Sequence, residues 1–104
     1  MLVCTTWKSR PLSPEQTNRM MATWGKIEAQ MAENPSVERQ CWYITSDGQA
    51  GMTVVKATDI EAATQFELET CIALEEFLEL ETKVVLDMDT AMPAILKGIE
   101  HINA

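Results

Sequence analysis

Residues 37–57 read VERQCWYITSDGQAGMTVVKA, and this stretch decides the fold of the chain. Residues 37–45 and 52–57 are rich in β-branched and aromatic side chains, which suit a pleated, half-buried surface. The residues between them, 46–51, contain an Asp-Gly pair and a further glycine, which supply the backbone freedom that a chain reversal needs. The stretch therefore predicts a β-hairpin, around which the rest of the chain is arranged.

The part of the chain before the hairpin predicts one strand and one helix. Residues 2–9 carry apolar or small side chains on both faces of an alternating strand. A helix is expected after Ser13, which can cap it, because a proline suits the first helical position and Gln16 completes a capping box. The helix should end near Glu33, since an Asn-Pro pair follows. Gly25 lies inside it, and we expect that turn to lie close against the sheet.

The part of the chain after the hairpin predicts two helices with a strand between them. Thr58 begins a second capping box and a helix that runs to about Glu76. Residues 78–88 alternate with period two, which predicts a strand with one buried face. Thr90 is expected to cap a third helix, with Pro93 in the first turn, where its missing N–H does no harm. The apolar faces are Ile60, Thr64, Leu68, Cys71 and Ile72 in the second helix and Met92, Ile95, Leu96, Ile99 and Ile102 in the third.

The element order β-α-β-β-α-β-α predicts an α+β fold with the split βαβ arrangement, formed by residues 1–104 as a single domain. A four-stranded antiparallel sheet then carries helices on one face. The other face is expected to display large side chains, and the register leaves three pairs of alternatives open. These are Trp7 or its neighbours, Trp42 or Tyr43, and Val55 or Val54. Such a surface is too apolar for a monomer, so the pattern predicts a homodimer with a two-fold axis.

The composition limits the classes of partner. The net charge of −8 repels phosphate backbones and anionic lipids, so we expect neither nucleic acid nor a membrane as a partner. We expect no transmembrane helix and no secretory signal. Cys4, Cys41 and Cys71 form no CxxC pair, which favours free, buried thiols in a cytoplasmic protein. Acidic residues cluster between positions 61 and 81, which favours a solvated helix surface over a face for cations or basic partners.

Three segments carry a resemblance to known proteins: CTTWKSRP (4–11), QCWYITSDGQAGMTVVKATD (40–59) and FLELETKVVLDMDTAM (77–92). Together with the capped helix, they resemble the dimeric α/β-barrel superfamily of ferredoxin-like proteins, and more closely a family of short uncharacterised bacterial proteins within it. The resemblance implies two sheets packed face to face and a pocket between sheet and helices. It also implies a range of activities, which includes small monooxygenases, isomerases, dehalogenase-like enzymes and heme-degrading enzymes.

Aromatic side chains form the candidate site. Ligand pockets are mostly apolar with a few polar groups. The candidate lining residues are Trp7, Trp24, Arg39, Trp42 and Tyr43. The alternative interpretation is packing in the core and at a dimer interface, where tryptophan and tyrosine are also favoured.

Other chemistry has little support in the sequence. His101, the single histidine, lies near the end of the last helix, which favours an exposed position and does not fit heme ligation. No metal-binding, phosphate-binding or nucleophile motif is present, so we predict no catalytic residue, no metal and no cofactor.

Two functional hypotheses follow. The first is a binding or assembly module, with its affinity in the acidic helix and the hairpin tip. The second is a cofactor-independent small monooxygenase or isomerase, which acts on an apolar or aromatic small molecule and uses the Trp, Tyr and Arg side chains. A closed, water-accessible cavity under the helices that holds a buried polar group is the observation that separates them.

Overall fold

The computed structural model describes residues 1–103. The elements are β1 (Leu2–Ser9), α1 (Pro14–Glu33), β2 (Val37–Ile44), β3 (Ala50–Ala57), α2 (Ile60–Leu74), β4 (Leu78–Val85) and α3 (Met88–Asn103). The four strands form one antiparallel sheet in the order β2-β3-β1-β4. The α+β class and the predicted order of elements are therefore confirmed, and the arrangement matches a ferredoxin-like fold with an added C-terminal helix.

The β2–β3 hairpin is confirmed, but its turn is shorter than expected. β3 already begins at Ala50, and Gly48 takes a positive φ of 73°, which glycine tolerates best. The carboxylate of Asp47 accepts hydrogen bonds from a hydroxyl and from a backbone N–H within the turn. Gly51, which was expected in the turn, lies inside β3.

A β-bulge in β2 decides which of its side chains share a face. The register shifts between Arg39 and Cys41, so that Arg39 pairs with Val55 while Trp42 pairs with Thr53. Positions 39 and 42 would point to opposite faces of a regular strand, because side chains alternate along it. The bulge therefore brings Arg39 and Trp42 to the same face of the sheet.

The register also decides which side chains lie under the helices. Val3, Thr5 and Trp7 lie on the covered face, and each is less than a tenth exposed. Trp42 and Val55 belong to the same face, since they lie in the same cross-strand rows. The open face instead carries Cys4, Thr6, Tyr43, Met52 and Val54. Of the alternatives left by the sequence, Tyr43, Val54 and the neighbours of Trp7 are thus the residues on the open face.

A core cluster lies where α1 and the end of α2 meet the sheet. Leu78 is 1 % exposed, and Trp7, Leu74 and Phe77 are buried with it. Burial of each such side chain stabilises the fold by about 1.5–3 kcal/mol. The partly buried residues packed against this cluster are Leu12, Met20, Trp24, Ile27 and Leu80.

α1 begins and ends as predicted. Ser13 Oγ accepts a hydrogen bond from the Gln16 N–H at 3.1 Å, and Gln16 Oε1 accepts one from the Ser13 N–H at 2.9 Å, which completes the capping box. The expectation for Gly25 is wrong. A Cβ atom at this position would meet nothing within 4 Å, so the turn does not lie close against the sheet.

α2 differs from its predicted bounds at both ends. Its N-cap is Asp59 rather than Thr58, because the Asp59 carboxylate accepts the Ala62 N–H at 3.1 Å. The helix ends at Leu74 rather than near Glu76, and a short turn leads into β4.

The last strand and the last helix also differ from the prediction. β4 ends at Val85 rather than at Met88. Asp87 Oδ1 accepts the Thr90 N–H at 2.8 Å, so Asp87 starts α3 and Thr90 lies within its first turn. A carboxylate is favoured near the positive end of the helix dipole. Pro93 consequently lies inside the helix and not in its first turn.

Candidate functional site

A groove of about 560 Å³ opens between α1 and the β2–β3 hairpin. Its volume falls in the range of small-molecule sites, which is about 300–1,000 Å³. The walls are almost entirely apolar. The large apolar residues that line them include Trp7, Met20, Met21, Trp24, Trp42 and Ile44.

Three tryptophans form one continuous wall of the groove. The rings of Trp24 and Trp42 are stacked, with their centroids 6.0 Å apart and an angle of 23° between their planes. Trp7 meets Trp24 edge-on, with a centroid distance of 5.4 Å and an angle of 83°. Such pairs contribute about 0.5–1.5 kcal/mol beyond the area that they bury. Trp7 is part of the core, whereas Trp42 keeps 47 % of its surface exposed at the groove.

Arg39 and Glu28 hold the outer indole rings in place. The Arg39 guanidinium lies 4.0 Å from the centroid of Trp42, and its Nη2 donates to Glu28 Oε1 at 2.6 Å. Trp24 Nε1 donates to the same carboxylate oxygen at 3.1 Å. The side chains of Arg39 and Glu28 are only 24 % and 29 % exposed, so their ion pair is less screened than a surface pair. The pair therefore couples α1 to β2 beside the groove.

Gly51 allows the Trp7 ring to lie flat on the sheet. A Cβ atom at position 51 would come within 2.5 Å of Trp7 Cε2 and Cζ2 and of the Tyr43 carbonyl oxygen. Real Cβ atoms do not approach other heavy atoms so closely, so a side chain here would displace the indole ring. The glycine thus permits the observed position of Trp7, which in turn contacts Trp24.

A smaller cavity of about 60 Å³, here called the inner cavity, lies deeper, between the sheet and the two helices. It has room for roughly two atoms or groups of the size of a water molecule. Four residues line both the groove and the inner cavity: Trp7, Trp24, Glu28 and Leu78. The inner cavity also contains polar groups, among them the buried Thr5.

Glu67 lines the inner cavity from α2. Its Oε2 accepts hydrogen bonds from Thr5 Oγ1 at 3.2 Å and from Thr82 Oγ1 at 3.4 Å, and these threonines are paired on β1 and β4. Burial raises the pKa of Glu67 above its ordinary value near 4.5, and the two threonine hydroxyls offset part of this effect. A carboxyl group with a raised pKa in a cavity is suited to proton exchange.

Three buried polar atoms of inner-cavity residues have no hydrogen-bond partner within residues 1–103: Trp7 Nε1, Arg39 Nε and Thr53 Oγ1. Their residues lie in three adjacent cross-strand rows of the covered face, with Thr53 in the middle row. A buried polar group without a partner costs about 1–3 kcal/mol. Because the indole and guanidinium N–H groups can only donate, the missing partner is an acceptor.

The structure brings four of the five candidate residues of the sequence together, namely Trp7, Trp24, Arg39 and Trp42. Tyr43 borders the groove, but its strand position belongs to the open face, and its side chain is 65 % exposed. Ligand binding by these residues stays a prediction.

Sequence reasoning missed Glu28, Thr53 and Glu67. A signal for Glu67 does exist, because it follows the buried Ala63 by four residues and precedes the buried Leu74 by seven. This spacing turns the carboxylate inward with its apolar neighbours. Thr53 carries no comparable signal, since a threonine in a strand is ordinary.

Other chemically active residues lie apart from the groove. His101 is exposed in the last turn of α3. The three cysteines are free and half-buried, not fully buried as expected. Within residues 1–103, no group of three or more His, Cys, Asp and Glu side chains is arranged to hold a metal ion. No helix of this described part is both long and apolar enough to cross a membrane.

A comparison of the chain with protein-family models finds no match, and a comparison with curated proteins finds no similar sequence.

Proposed function

We propose that this chain is a small-molecule-binding domain that acts as a homodimer, and that its ligand is a flat, largely apolar molecule. The observation that carries the proposal is the apolar groove with the stacked rings of Trp24 and Trp42 in its wall. A planar ligand gains contact with the exposed part of the Trp42 ring and burial against the flexible side chains of Met20 and Met21.

The inner cavity adds a requirement on the chemistry of the ligand. A ligand oxygen that accepts hydrogen bonds, such as a carbonyl or phenolic oxygen, supplies a partner to one or two of the buried groups Trp7 Nε1, Arg39 Nε and Thr53 Oγ1. The volume of about 60 Å³ accommodates an oxygen but not a ring. The ligand body therefore lies in the groove, and its oxygen points to the inner cavity.

A titration followed by ligand-observed NMR tests this proposal with 1-tetralone and tetralin, which share a bicyclic frame and differ by one carbonyl group. We expect the parent protein to bind 1-tetralone at least about fivefold more tightly, because the carbonyl satisfies buried donors. Thr53→Val should reduce this preference, since valine keeps the shape of threonine without the hydroxyl group. Trp42→Ala should weaken the binding of both compounds.

The matched control is Thr6→Val, which makes the same substitution on the open face of the sheet. It should leave both affinities unchanged. Equal affinities of the parent for the two compounds would contradict the oxygen requirement. Failure of both compounds to bind, or binding that Trp42→Ala leaves unchanged, would contradict the assignment of the groove.

The homodimer part of the proposal is supported by the open face of the sheet. No helix covers Cys4, Met52 and Val54 there, and Tyr43 stands beside them largely exposed. Apolar faces of this kind are commonly buried against a second copy around a two-fold axis. Membership of the dimeric α/β-barrel superfamily, in which two sheets pack face to face, is part of the same proposal.

Sedimentation equilibrium at micromolar concentration tests the homodimer. We expect twice the chain mass for the parent and a lower average mass, shifted toward that of the monomer, for Val54→Asp, which places a charge in the proposed interface. Met21→Asp introduces the same charge on the helix-covered side and should remain dimeric. A monomer mass for the parent would overturn this part of the proposal without affecting the groove.

A second candidate function, a cofactor-independent isomerase, is favoured by Glu67. Its Oε1 accepts no hydrogen bond within residues 1–103, although Oε2 accepts two. This free oxygen can take a proton from the carbon next to a ligand carbonyl. The electron pair of the C–H bond then forms an enolate, whose oxygen the buried N–H donors stabilise. In a ligand with a double bond between its β and γ carbons, this enolate is a dienolate, and return of the proton to the γ carbon moves the double bond and completes the isomerisation.

The exchange of the acidic C–H protons of 2-tetralone for deuterium in D2O, followed by NMR, tests this second function. We expect exchange above the buffer rate with the parent and loss of the excess rate with Glu67→Gln. Glu69→Gln changes an exposed carboxylate of the same helix and should keep the parent rate. A parent rate equal to that of buffer would exclude proton transfer by Glu67 to this class of ketone.

A further inference from the structure

α3 stands apart from the rest of the molecule. The principal extents are 59 × 30 × 22 Å and the radius of gyration is 16.7 Å, against about 13 Å for a compact chain of this length. All residues of α3 from Met92 to Asn103 are exposed. The helix thus extends from the end of β4 without covering the sheet or the other helices.

This isolated helix has one strongly apolar face, here called the arm stripe. Its residues recur at helical spacing: Met92, Ile95, Leu96, Ile99 and Ile102. Between 40 % and 82 % of each side chain is exposed. A helix of this length is marginal in water on its own, and Pro93 in its interior weakens it further. The helix therefore needs an apolar partner surface.

α2 also carries an exposed apolar surface, here called the flank stripe. Ile60, Leu68 and Ile72 are 61 %, 61 % and 63 % exposed, although their spacing alone suggests a buried face. Leu68 and Ile72 lie more than a quarter-turn around the helix from the buried residues of α2, Ala63 and Leu74, whereas Ile60 lies nearer to them. The flank stripe is therefore exposed at the side of α2.

The position of the flank stripe follows from the neighbours of α2. Phe66 and Thr70 line the inner cavity together with Ile27 and Met31 of α1, so this side of α2 faces α1. Leu68 and Ile72 of the flank stripe lie on the other side of α2, and β4 is a free edge of the sheet. Val84, at the end of that edge strand, is likewise 64 % exposed.

We propose that the arm stripe of one copy packs along the flank stripe of a second copy, and that the exchange is reciprocal. The two stripes match in length, since residues 92–102 of α3 span about 15 Å and residues 60–72 of α2 about 18 Å. Within a single chain the two stripes do not cover each other, because the side chains of both are exposed. Asp87 caps α3 immediately after β4.

The area of this contact suits a stable pair. Each arm–flank contact buries on the order of 700 Å², and two reciprocal contacts bury on the order of 1,400 Å², which is the size of a specific interface. The arm contact involves helix surfaces, whereas the proposed sheet-face contact involves Val54 and Tyr43. The two inferences can therefore fail separately.

Hydrogen–deuterium exchange of the α3 amides, measured by mass spectrometry on the full chain, tests the arm contact. We expect exchange in α3 of the parent to be at least about tenfold slower than in a free helix. Leu96→Asp in the arm stripe and Ile72→Asp in the flank stripe should both remove this protection. Ala94→Asp and Ala73→Asp introduce the same charge on the same helices outside the stripes and should keep it. Unchanged protection of the sheet amides shows that each variant is folded.

A mixing experiment identifies the occupant. The Ile72→Asp variant has an intact arm, and the Leu96→Asp variant has an intact flank, and their α3 peptides differ in mass. In a mixture, α3 of the Ile72→Asp variant should regain protection, because it can bind the flank of the other variant. No recovery on mixing would show that α3 folds onto its own chain, and an unprotected α3 in the parent would show that it is not docked. Either result overturns the proposal that two copies exchange their arms.

Discussion

Substitution of Gly51 by alanine is the change whose effect follows most directly from the structure. The new Cβ atom would lie 2.5 Å from Trp7 Cε2 and Cζ2 and from the Tyr43 carbonyl oxygen. Non-bonded carbon atoms prefer about 3.5–4.0 Å, so the indole ring must move by about 1 Å or more. Trp7 is 7 % exposed and belongs to the core cluster with Leu74. Because Trp7 packs in this cluster and also borders the groove, a shift of the ring moves it out of its core contacts.

The expected cost of Gly51→Ala combines two effects. Overpacking of a core costs about 1–3 kcal/mol, and loss of the edge-to-face contact between Trp7 and Trp24 costs about 0.5–1.5 kcal/mol. We therefore expect a loss of about 3 kcal/mol in the free energy of unfolding, which is a large fraction of the about 5–15 kcal/mol of a typical domain. Urea unfolding followed by far-UV circular dichroism measures this loss independently of indole fluorescence.

Two variants show whether the indole ring is the obstacle. Trp7→Phe removes the second ring that the new methyl group would meet, so Gly51→Ala should cost at least about 1 kcal/mol less in this background. Gly25→Ala is the matched control, because nothing lies within 4 Å of its new Cβ atom, and it should stabilise α1 by about 1 kcal/mol. A loss below about 0.5 kcal/mol for Gly51→Ala, or the same loss in both backgrounds, would refute the reasoning.

Further predictions concern a buried carboxyl group, a helix cap and a buried ion pair. Because the pKa of Glu67 is raised in the folded state, the contribution of this group to stability is most favourable below pH 4.5. This contribution is lost as the pH rises through the folded-state pKa. As the pH rises from 4.5 through the folded-state pKa, the free energy of unfolding of Glu67→Gln should therefore increase relative to that of the parent, which urea titrations at several pH values measure. A difference between the two proteins that does not change with pH would contradict this prediction. Asp59→Ala should lower the stability by about 1 kcal/mol through loss of the α2 cap, whereas Thr58→Ala should cost less, and the reverse order in thermal unfolding would identify Thr58 as the cap. Glu28→Gln should weaken the contact with Arg39 and raise the mobility of the Trp24 ring, which fluorescence anisotropy detects; unchanged anisotropy would show that the ion pair does not position the ring.

Local signals in the sequence were sufficient for the order and type of the elements. The Ser13 capping box, the turn around Gly48 and the alternation of residues 78–85 act over a few neighbouring residues. Their physical cause, a hydrogen bond or a permitted φ angle, is contained in the same short stretch. The sequence could therefore predict the βαββαβα order and the β2–β3 hairpin, and it placed Trp7, Trp24, Arg39 and Trp42 among the candidate residues.

Only the tertiary structure decided how these residues are combined. The bulge after Arg39 adds one residue to β2 and reverses the alternation, so that Arg39 and Trp42 share a face. Gly51 resembles a turn residue in the sequence, but the ring of Trp7, distant along the chain, makes glycine necessary there. The rotation of α2, which turns Glu67 inward and Leu68 outward, depends on what the sheet and α1 leave uncovered. Helical periodicity defines a stripe but not its neighbour, because burial is a property of the assembled surfaces and not of the spacing within one helix.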